Sequence, residues 1–271
     1  MTSTPTTSLI EKGKAFAALH QAPGIFEIPN PWDIGSALML QKLGAKALAT
    51  SSGASAMVMG LTDGRLGRDA VLAHCRQLAA ATQVPLAADL ENAFAHDPAG
   101  VAETFALAAQ TGLVGGSVED FGGTGYDAAN QADHKGIYSL DLAVARVKAA
   151  AEVTRNLPFP FILTARAENH LRGVTDLADT IRRLQSYEAA GADALFAPAV
   201  PDLASIQAVC SAVKVPVNFM VGIPGKSFSR AELLAAGVKR ISFGTVLYRK
   251  AMANAQANAR EALEGGTYGF V

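Results

Sequence analysis

A chain of 271 residues is long enough to bury a sizeable core, and an α/β barrel takes about 250 residues as a single unit. Half of the residues are apolar, 17% are charged and the formal net charge is −1. This composition excludes a disordered chain and argues against a surface selected for nucleic acid or an anionic membrane.

The start, Met1 to Ser8, is Thr/Ser-rich and uncharged, and Leu9 to Leu19 then reads as a helix. It lacks the basic segment and apolar core of a signal peptide, and no apolar run reaches the roughly 18 residues of a spanning helix. The expectation is a soluble protein of the reducing cytosol. Cys75 and Cys210 form no disulfide or metal pattern and read as small buried hydrophobes.

Eight short apolar runs follow: Ile25–Ile28, Ala47–Thr50, Leu86–Asp89, Gly116–Glu119, Phe161–Arg166, Ala194–Ala197, Val217–Met220 and Arg240–Phe243. Between them lie helical patterns at Asp69–Thr82, Pro98–Gln110, Ser139–Thr154, Thr175–Ala190, Leu203–Val213 and Ser229–Ala236. Several close on glycine just before the next strand, as at Gly112, Gly191 and Gly237. Strands alternating with helices imply a parallel sheet, because parallel neighbours need crossover connections. Eight strands, and a first strand that ends in Pro29-Asn30-Pro31 rather than a GxGxxG turn, favour a (β/α)8 TIM barrel over a doubly wound sheet. No linker divides the chain, so residues 1–271 are expected to form one domain, closed by a helix at Tyr248–Glu264.

Barrel enzymes carry their chemistry at the C-terminal ends of strands. Here those ends are Ser51-Ser52-Gly53, Asp89-Leu90-Glu91, Glu119-Asp120, Arg166-Ala167-Glu168-Asn169 and Asn218, with Asp63 in a glycine-flanked loop. Several acids on one rim repel one another unless a cation sits among them, and oxygen donors without His or Cys suit Mg²⁺ or Mn²⁺. Each acid also has a plain structural reading: Asp89 as a helix cap, Glu91 as a solvated loop charge, Asp63 and Asp120 as turn residues. Arg166 fits a structural ion pair or a clamp on a substrate carboxylate equally well. His20, His74 and His96 read as surface or capping residues, while His134 and His170 are weak acid/base candidates. HExxH and GxSxG motifs are missing, and no Cys/His dyad stands in for them, which removes metalloprotease and serine-hydrolase readings.

At these strand ends the chain resembles the isocitrate lyase/phosphoenolpyruvate mutase superfamily, over nearly its whole length. The matching segments are Pro29–Asp33, Ser51–Ala54 with Gly60–Asp63, Ala88–Glu91, Ser117–Asp120, Leu163–Glu168, Ala190–Asp193 and Val217–Phe219. The resemblance implies a barrel whose last helix, here Tyr248–Glu264, is exchanged with a neighbouring subunit in a dimer or tetramer. It implies Asp89 as the direct Mg²⁺ ligand, with Asp63, Glu91 and Glu119 holding the ion's waters; Glu91 stands where relatives often have Asp. It implies Ser52, Gly53 and Ala54 as the seat of a substrate carboxylate and keto oxygen. Arg166 is then the arginine facing the same oxyanion, and Asn218 a further polar contact. Catalysis would fall to Arg166, Glu119 and Asp63, through a pyruvate-like enolate.

The departures bear on substrate. Isocitrate and methylisocitrate lyases carry a catalytic cysteine after the fourth strand, where this chain reads Phe121-Gly122-Gly123-Thr124-Gly125-Tyr126. Phosphonate-forming mutases carry lysine and asparagine in that loop; Lys135 and Asn130 are present here in a different arrangement, and the sixth strand ends in Phe196-Ala197-Pro198-Ala199. The expectation is therefore a lyase of the oxaloacetate decarboxylase kind, acting on a small α-keto or α-hydroxy acid. A carbon–phosphorus mutase or phosphonopyruvate hydrolase, with Lys135, Arg65 and Arg68 as phosphonate donors, stands second. A catalytically inert binding barrel stands third. Gly122 to Tyr138 would be the gating loop.

Overall fold

The computed structural model describes residues 7–123 and 135–271. Its strands are β1 (Phe26–Ile28), β2 (Leu48–Ala49), β3 (Leu86–Asp89), β4 (Gly115–Glu119), β5 (Ile162–Arg166), β6 (Ala194–Phe196), β7 (Val217–Met220) and β8 (Arg240–Ser242). All ladders are parallel, in the order β1-β8-β7-β6-β5-β4-β3-β2. The two ends of that order meet. Ala49 N–H donates to Pro29 O at 3.2 Å, and Asn30 Nδ2 donates to Ala49 O and Thr50 O at 3.0 Å each. Asn30 Oδ1 in turn accepts from Phe243 N–H at 2.8 Å and Gly244 N–H at 2.9 Å, so one amide ties β1 to both neighbours. The result is the expected (β/α)8 barrel.

Among the described residues ten helices accompany it: α1 (Leu9–Gln21), α2 (Ile34–Lys42), α3 (Ser52–Val58), α4 (Arg68–Ala81), α5 (Pro98–Ala109), α6 (Leu140–Arg155), α7 (Leu177–Ala189), α8 (Leu203–Ala212), α9 (Arg230–Ala235) and α10 (Val246–Arg260). Side-chain caps start most of them. Ser8 and Glu11 form a capping box on α1, Ser229 and Glu232 on α9, and Asp97, Asp176 and Asp202 cap α5, α7 and α8. Helices α2 and α3 were not anticipated. They follow strand ends rich in Pro and Ser, and their starts depend on Asp33 accepting from Ser36 N–H and on Ser51 facing Ala54 N–H. No helix among the described residues is long and apolar enough to cross a membrane.

Helix α1 plugs the N-terminal end of the barrel. Its Phe16 is fully buried among Phe26, Ile28, Ala87 and Ile162. A Cβ on Gly115 would lie 2.7 Å from the Phe16 ring, which is why β4 opens on glycine. The main core lies instead between the barrel's outer face and the helices. His20, expected as a surface or capping residue, is buried, and His74, expected likewise, is half-buried. His20 Nδ1 bonds Phe16 O at 2.8 Å, and His74 bridges Ser55 Oγ and Trp32 O. Cys75 is fully buried and Cys210 half-buried, and both are free thiols.

The last helix starts two residues earlier than expected, and a π-helical turn, Glu261–Gly265, ends it at Gly266 in the left-handed region. None of its residues is buried, and Met252, Leu263, Tyr268 and Phe270 stay exposed. The gating-loop expectation falls largely on residues 124–134, outside the described residues, with Asn130 and His134 among them. Its two ends are described. Phe121 and Ile137 form an antiparallel bridge, and Gly122 N–H donates to Gly136 O at 2.8 Å.

Candidate active site

The strand register gathers the expected residues at one end of the barrel. Asp89 pairs with Ser117, and Glu119 pairs with Arg166, so β3, β4 and β5 present their last polar side chains together. A cavity of about 180 Å³ inside the barrel mouth reaches Ser52, Asp63, Asp89, Arg166 and Asn218. A second one, of about 310 Å³, lies above it against Glu91, Glu119, Arg65 and Arg172.

Asp89 is the hub. Its Oδ2 accepts from Ser52 Oγ at 3.1 Å and Ser52 N–H at 3.4 Å, and lies 3.5 Å from Arg166 Nη1. Its Oδ1 accepts from Glu91 N–H at 3.2 Å and Ser117 Oγ at 3.4 Å. The helix-cap reading of Asp89 fails, because Asp97 caps the next helix. Glu91 is held in the left-handed region at φ 52, with Ala93 and Phe94 close behind at 58 and 55. That conformation is costly for residues with a side chain and marks a loop set by its surroundings. Burial, with Asp89 and Asp63 adding repulsion, pushes the Glu91 carboxyl from 4.5 to about 8.

Arg166 lies among three acids. Its Nη1 is 3.3 Å from Glu119, and its Nε donates to Glu168 Oε1 at 2.5 Å. Glu119 is buried, and desolvation pushes its carboxyl well above the usual range against the pull of Arg166. Arg172, from the segment after β5, adds a contact to Glu168 at 2.7 Å and stacks 3.5 Å over the centre of the Phe121 ring. From α6, Arg146 donates to Glu119 O at 2.9 Å and to Asn92 O, fixing the β3 and β4 ends to each other.

Asp63 lies in the exposed turn before α4 and faces Gly53, where a Cβ would approach its carboxylate to 3.3 Å. Any side chain at Gly53 would also strike Thr245 at 2.9 Å, so glycine keeps that wall open. Ser52 thus borders the cavity, whereas Gly53 and Ala54 are buried and line neither cavity, and Ala54 N–H faces Ser51 Oγ at 3.4 Å. Asn218 also lies in the wall, but its amide is engaged: Nδ2 donates to Ser242 Oγ and Oδ1 accepts from Arg240.

Asp120 proves to be structural rather than a rim acid. It is buried, accepts from Glu168 N–H and Tyr187 Oη, and pairs with Arg183 Nη1 at 3.2 Å. Its own O accepts from Tyr138 N–H at 2.7 Å, which anchors the far end of the loop after β4. His170 is buried behind this network and lines neither cavity. Sequence reasoning gave no role to Glu168, although its place two residues after Arg166 puts both on one side of the chain. Arg172, Arg146 and Arg240 were missed because each lies in a stretch read only as helix, loop or strand.

Among the described residues no three His, Cys, Asp or Glu side chains converge closely enough to ligate one ion directly. The donors at this rim are carboxylate and hydroxyl oxygens without His or Cys, a set that suits a small hard cation held by one carboxylate and otherwise through water, as Mg²⁺ is. The pairing of charges points the same way: Asp89, Glu119 and Glu168 lie within ion-pair distance of Arg166 or Arg172, whereas among the described residues Asp63 and Glu91 have no such pair.

A family model described as phosphoenolpyruvate phosphomutase matches residues 16–263. An uncharacterised protein of Mycobacterium tuberculosis is 31% identical over 253 residues, covering 93% of this chain and 90% of its own. A 2-methylisocitrate lyase of Escherichia coli K12 is 30% identical over 212 residues, covering 78% and 70%. Among solved structures, a candidate lyase/mutase from Burkholderia cenocepacia J2315 superposes with a TM-score of 0.91 at 46% identity, covering 97% of this chain and 91% of that one.

Proposed function

From the premise that the chain belongs to the phosphoenolpyruvate phosphomutase family, within the isocitrate lyase/phosphoenolpyruvate mutase superfamily of lyases and mutases, we propose that it is a Mg²⁺-dependent lyase. Its substrate is a small α-keto or α-hydroxy dicarboxylic acid, cleaved at a C–C bond through a pyruvate-like enolate. The observation that carries this reading is the Asp89 hub, which joins Ser52, Glu91 N–H and Arg166 at the mouth of one cavity.

Asp89 is the residue to hold the ion directly, with Asp63, Glu91 and Glu119 acting through water. Bound there, Mg²⁺ (or Mn²⁺) would polarise the oxygens of the acid. The rest falls to the chain. The Ser52 hydroxyl and Gly53 N–H seat the carboxylate next to the keto group. When the C–C bond of a keto acid breaks, the far carboxylate leaves as CO2 and the bond's electron pair forms the enolate C=C, placing the charge on the keto oxygen, where Arg166 meets it from a fixed position. Glu119 and Glu168 hold the guanidinium in place, so no reorganisation is needed at that moment.

Methylisocitrate cleavage by a loop cysteine does not fit these residues. The described thiols lie on α4 and α8, Cys75 is fully buried, and burial pushes both up to about 12. The direct test is pyruvate release with Mg²⁺ and with EDTA from oxaloacetate, phosphonopyruvate, 2-methylisocitrate and 2-substituted malates. Metal-dependent pyruvate is expected, with CO2 from a C4 keto acid or with acetate from 2-methylmalate. Release from phosphonopyruvate alone would transfer the reading to carbon–phosphorus chemistry.

We also propose that α10 completes its packing on a second copy of the chain. In support, none of its residues is buried, while an apolar groove beside it is lined by Leu40, Leu43, Phe243 and Leu247. Light scattering on the full chain should give a dimer or tetramer; a monomer at micromolar concentration would end this proposal.

A further inference from the structure

Barrel interiors are usually filled by layers of bulky branched side chains. Here the middle of the barrel is lined by small residues, Ala49, Ala87, Ser117 and Thr164, and the cavity runs down between them. At its floor lies a cation, Arg240 of β8, only 7% exposed. Its side chain crosses the lumen. Nε donates to Asn218 Oδ1 at 2.8 Å, Nη2 to Thr164 Oγ1 at 3.0 Å, and Nη1 lies 3.1 Å from His20 Nε2.

All three partners are uncharged. His20 Nδ1 faces the carbonyl of Phe16 at 2.8 Å and must donate to it, which leaves Nε2 as a neutral acceptor for Arg240. Burial beside Arg240 accordingly pulls the His20 ring down to about 3. Among the described residues Arg240 has no carboxylate partner, and three bonds leave two of its five N–H groups over. A buried guanidinium in this state is costly unless an anion joins it. Arg166, by contrast, already has three.

We propose that Arg240 receives the second carboxylate of the substrate, so that the barrel floor selects a four-carbon dicarboxylate over shorter or monoanionic acids. The inference rests on the enolate-lyase reading and adds the residue that recognises the far end of the substrate. The register supports the reach. Thr164, which Arg240 touches, is two residues below Arg166 on β5, a step of roughly 7 Å along a strand. An acid of four carbons spans a distance of that order.

The test uses two probes in saturating Mg²⁺, each first shown to survive incubation with the enzyme, measured by calorimetry on the full chain. Oxalate, a two-carbon dianion with the planar shape of the enolate, reads the upper layer alone; malate reads both layers. For Arg240→Met, malate affinity should fall at least about tenfold, the loss of one charge-assisted pair, while oxalate affinity stays within about twofold. Arg240→Lys keeps the charge but loses the fork, and should fall between the two for malate. Should the methionine variant fail to fold, the lysine variant decides alone, and wild-type affinity for malate in it overturns the proposal. An equal loss for both probes also overturns it, because Arg240 would then only brace the barrel against α1. A wild-type chain that binds oxalate but not malate removes the Arg240 subsite and leaves the enolate reading intact. One that binds neither removes both.

Discussion

Asp89→Ala should lower Mg²⁺-dependent turnover at least about 10³-fold, roughly 4 kcal/mol of transition-state stabilisation, while the barrel stays folded. The side chain is a sixth exposed at the end of β3, so little packing is lost with it. What is lost is the point where Ser52, Ser117, Glu91 N–H and Arg166 meet. The pH dependence adds a second readout. Glu91, held at about 8 against an ordinary 4.5, binds more protons folded than unfolded between those values. The metal-free protein should therefore gain stability as pH falls through that window and lose it as pH rises. A cation must displace that proton, so Mg²⁺ should raise the melting temperature most near pH 8 and progressively less on acidification. In Asp89→Ala the charge that helps hold Glu91 up is gone, and both trends should flatten. Normal turnover, or an unchanged metal-induced shift in melting, would remove Asp89 from the ion's site.

The barrel was legible because its signals are local and repeated. Each strand is a short apolar run ended by a polar residue, and the bounds Leu86–Asp89 and Val217–Met220 were read to the residue. The rim acids were legible for the same reason, since a carboxylate at the end of a buried strand needs a partner. What could not be read was which acid faces which cation. Asp120 follows Glu119 immediately, yet strand alternation turns it away from the cavity and into a network with Arg183 and Tyr187 on α7. Nothing local distinguishes the two. Arg240 escaped notice in the same way: it opens an apolar run, and its meaning depends on Thr164 and His20, which are 76 and 220 residues away. Helices α2 and α3 were missed because their caps lie inside segments that also read as strand-end loops. The burial of His20 and the half-burial of His74 follow from non-local packing, with Phe16 and Trp32 supplying carbonyls.

Arg166→Met should silence the enzyme as Asp89→Ala does, and should also destabilise it. Arg166 is only 12% exposed and lies within ion-pair distance of Asp89, Glu119 and Glu168. Its removal leaves Arg172 as the nearest cation for Glu119 and Glu168, at 3.7 and 2.7 Å. Breaking a buried charge network by deleting one partner costs about 3–5 kcal/mol, which for a chain of this size lowers the melting temperature by roughly 6–15 °C. The sign with pH follows from the orphaned acids. Without Arg166 the Glu119 carboxyl, already raised by burial, rises further, so the variant's deficit should be largest above pH 8 and shrink as protonation neutralises it. Arg166→Lys separates the two roles. An ammonium restores one charge and most of the stability, but cannot span Glu119 and Glu168 while facing the enolate oxygen, so turnover should remain down by about 10²-fold. Wild-type melting of Arg166→Met at pH 8 would show that the acids do not depend on this arginine. They would then be balanced by something other than the ion-pair frame, and the case for a cation among them would weaken with it.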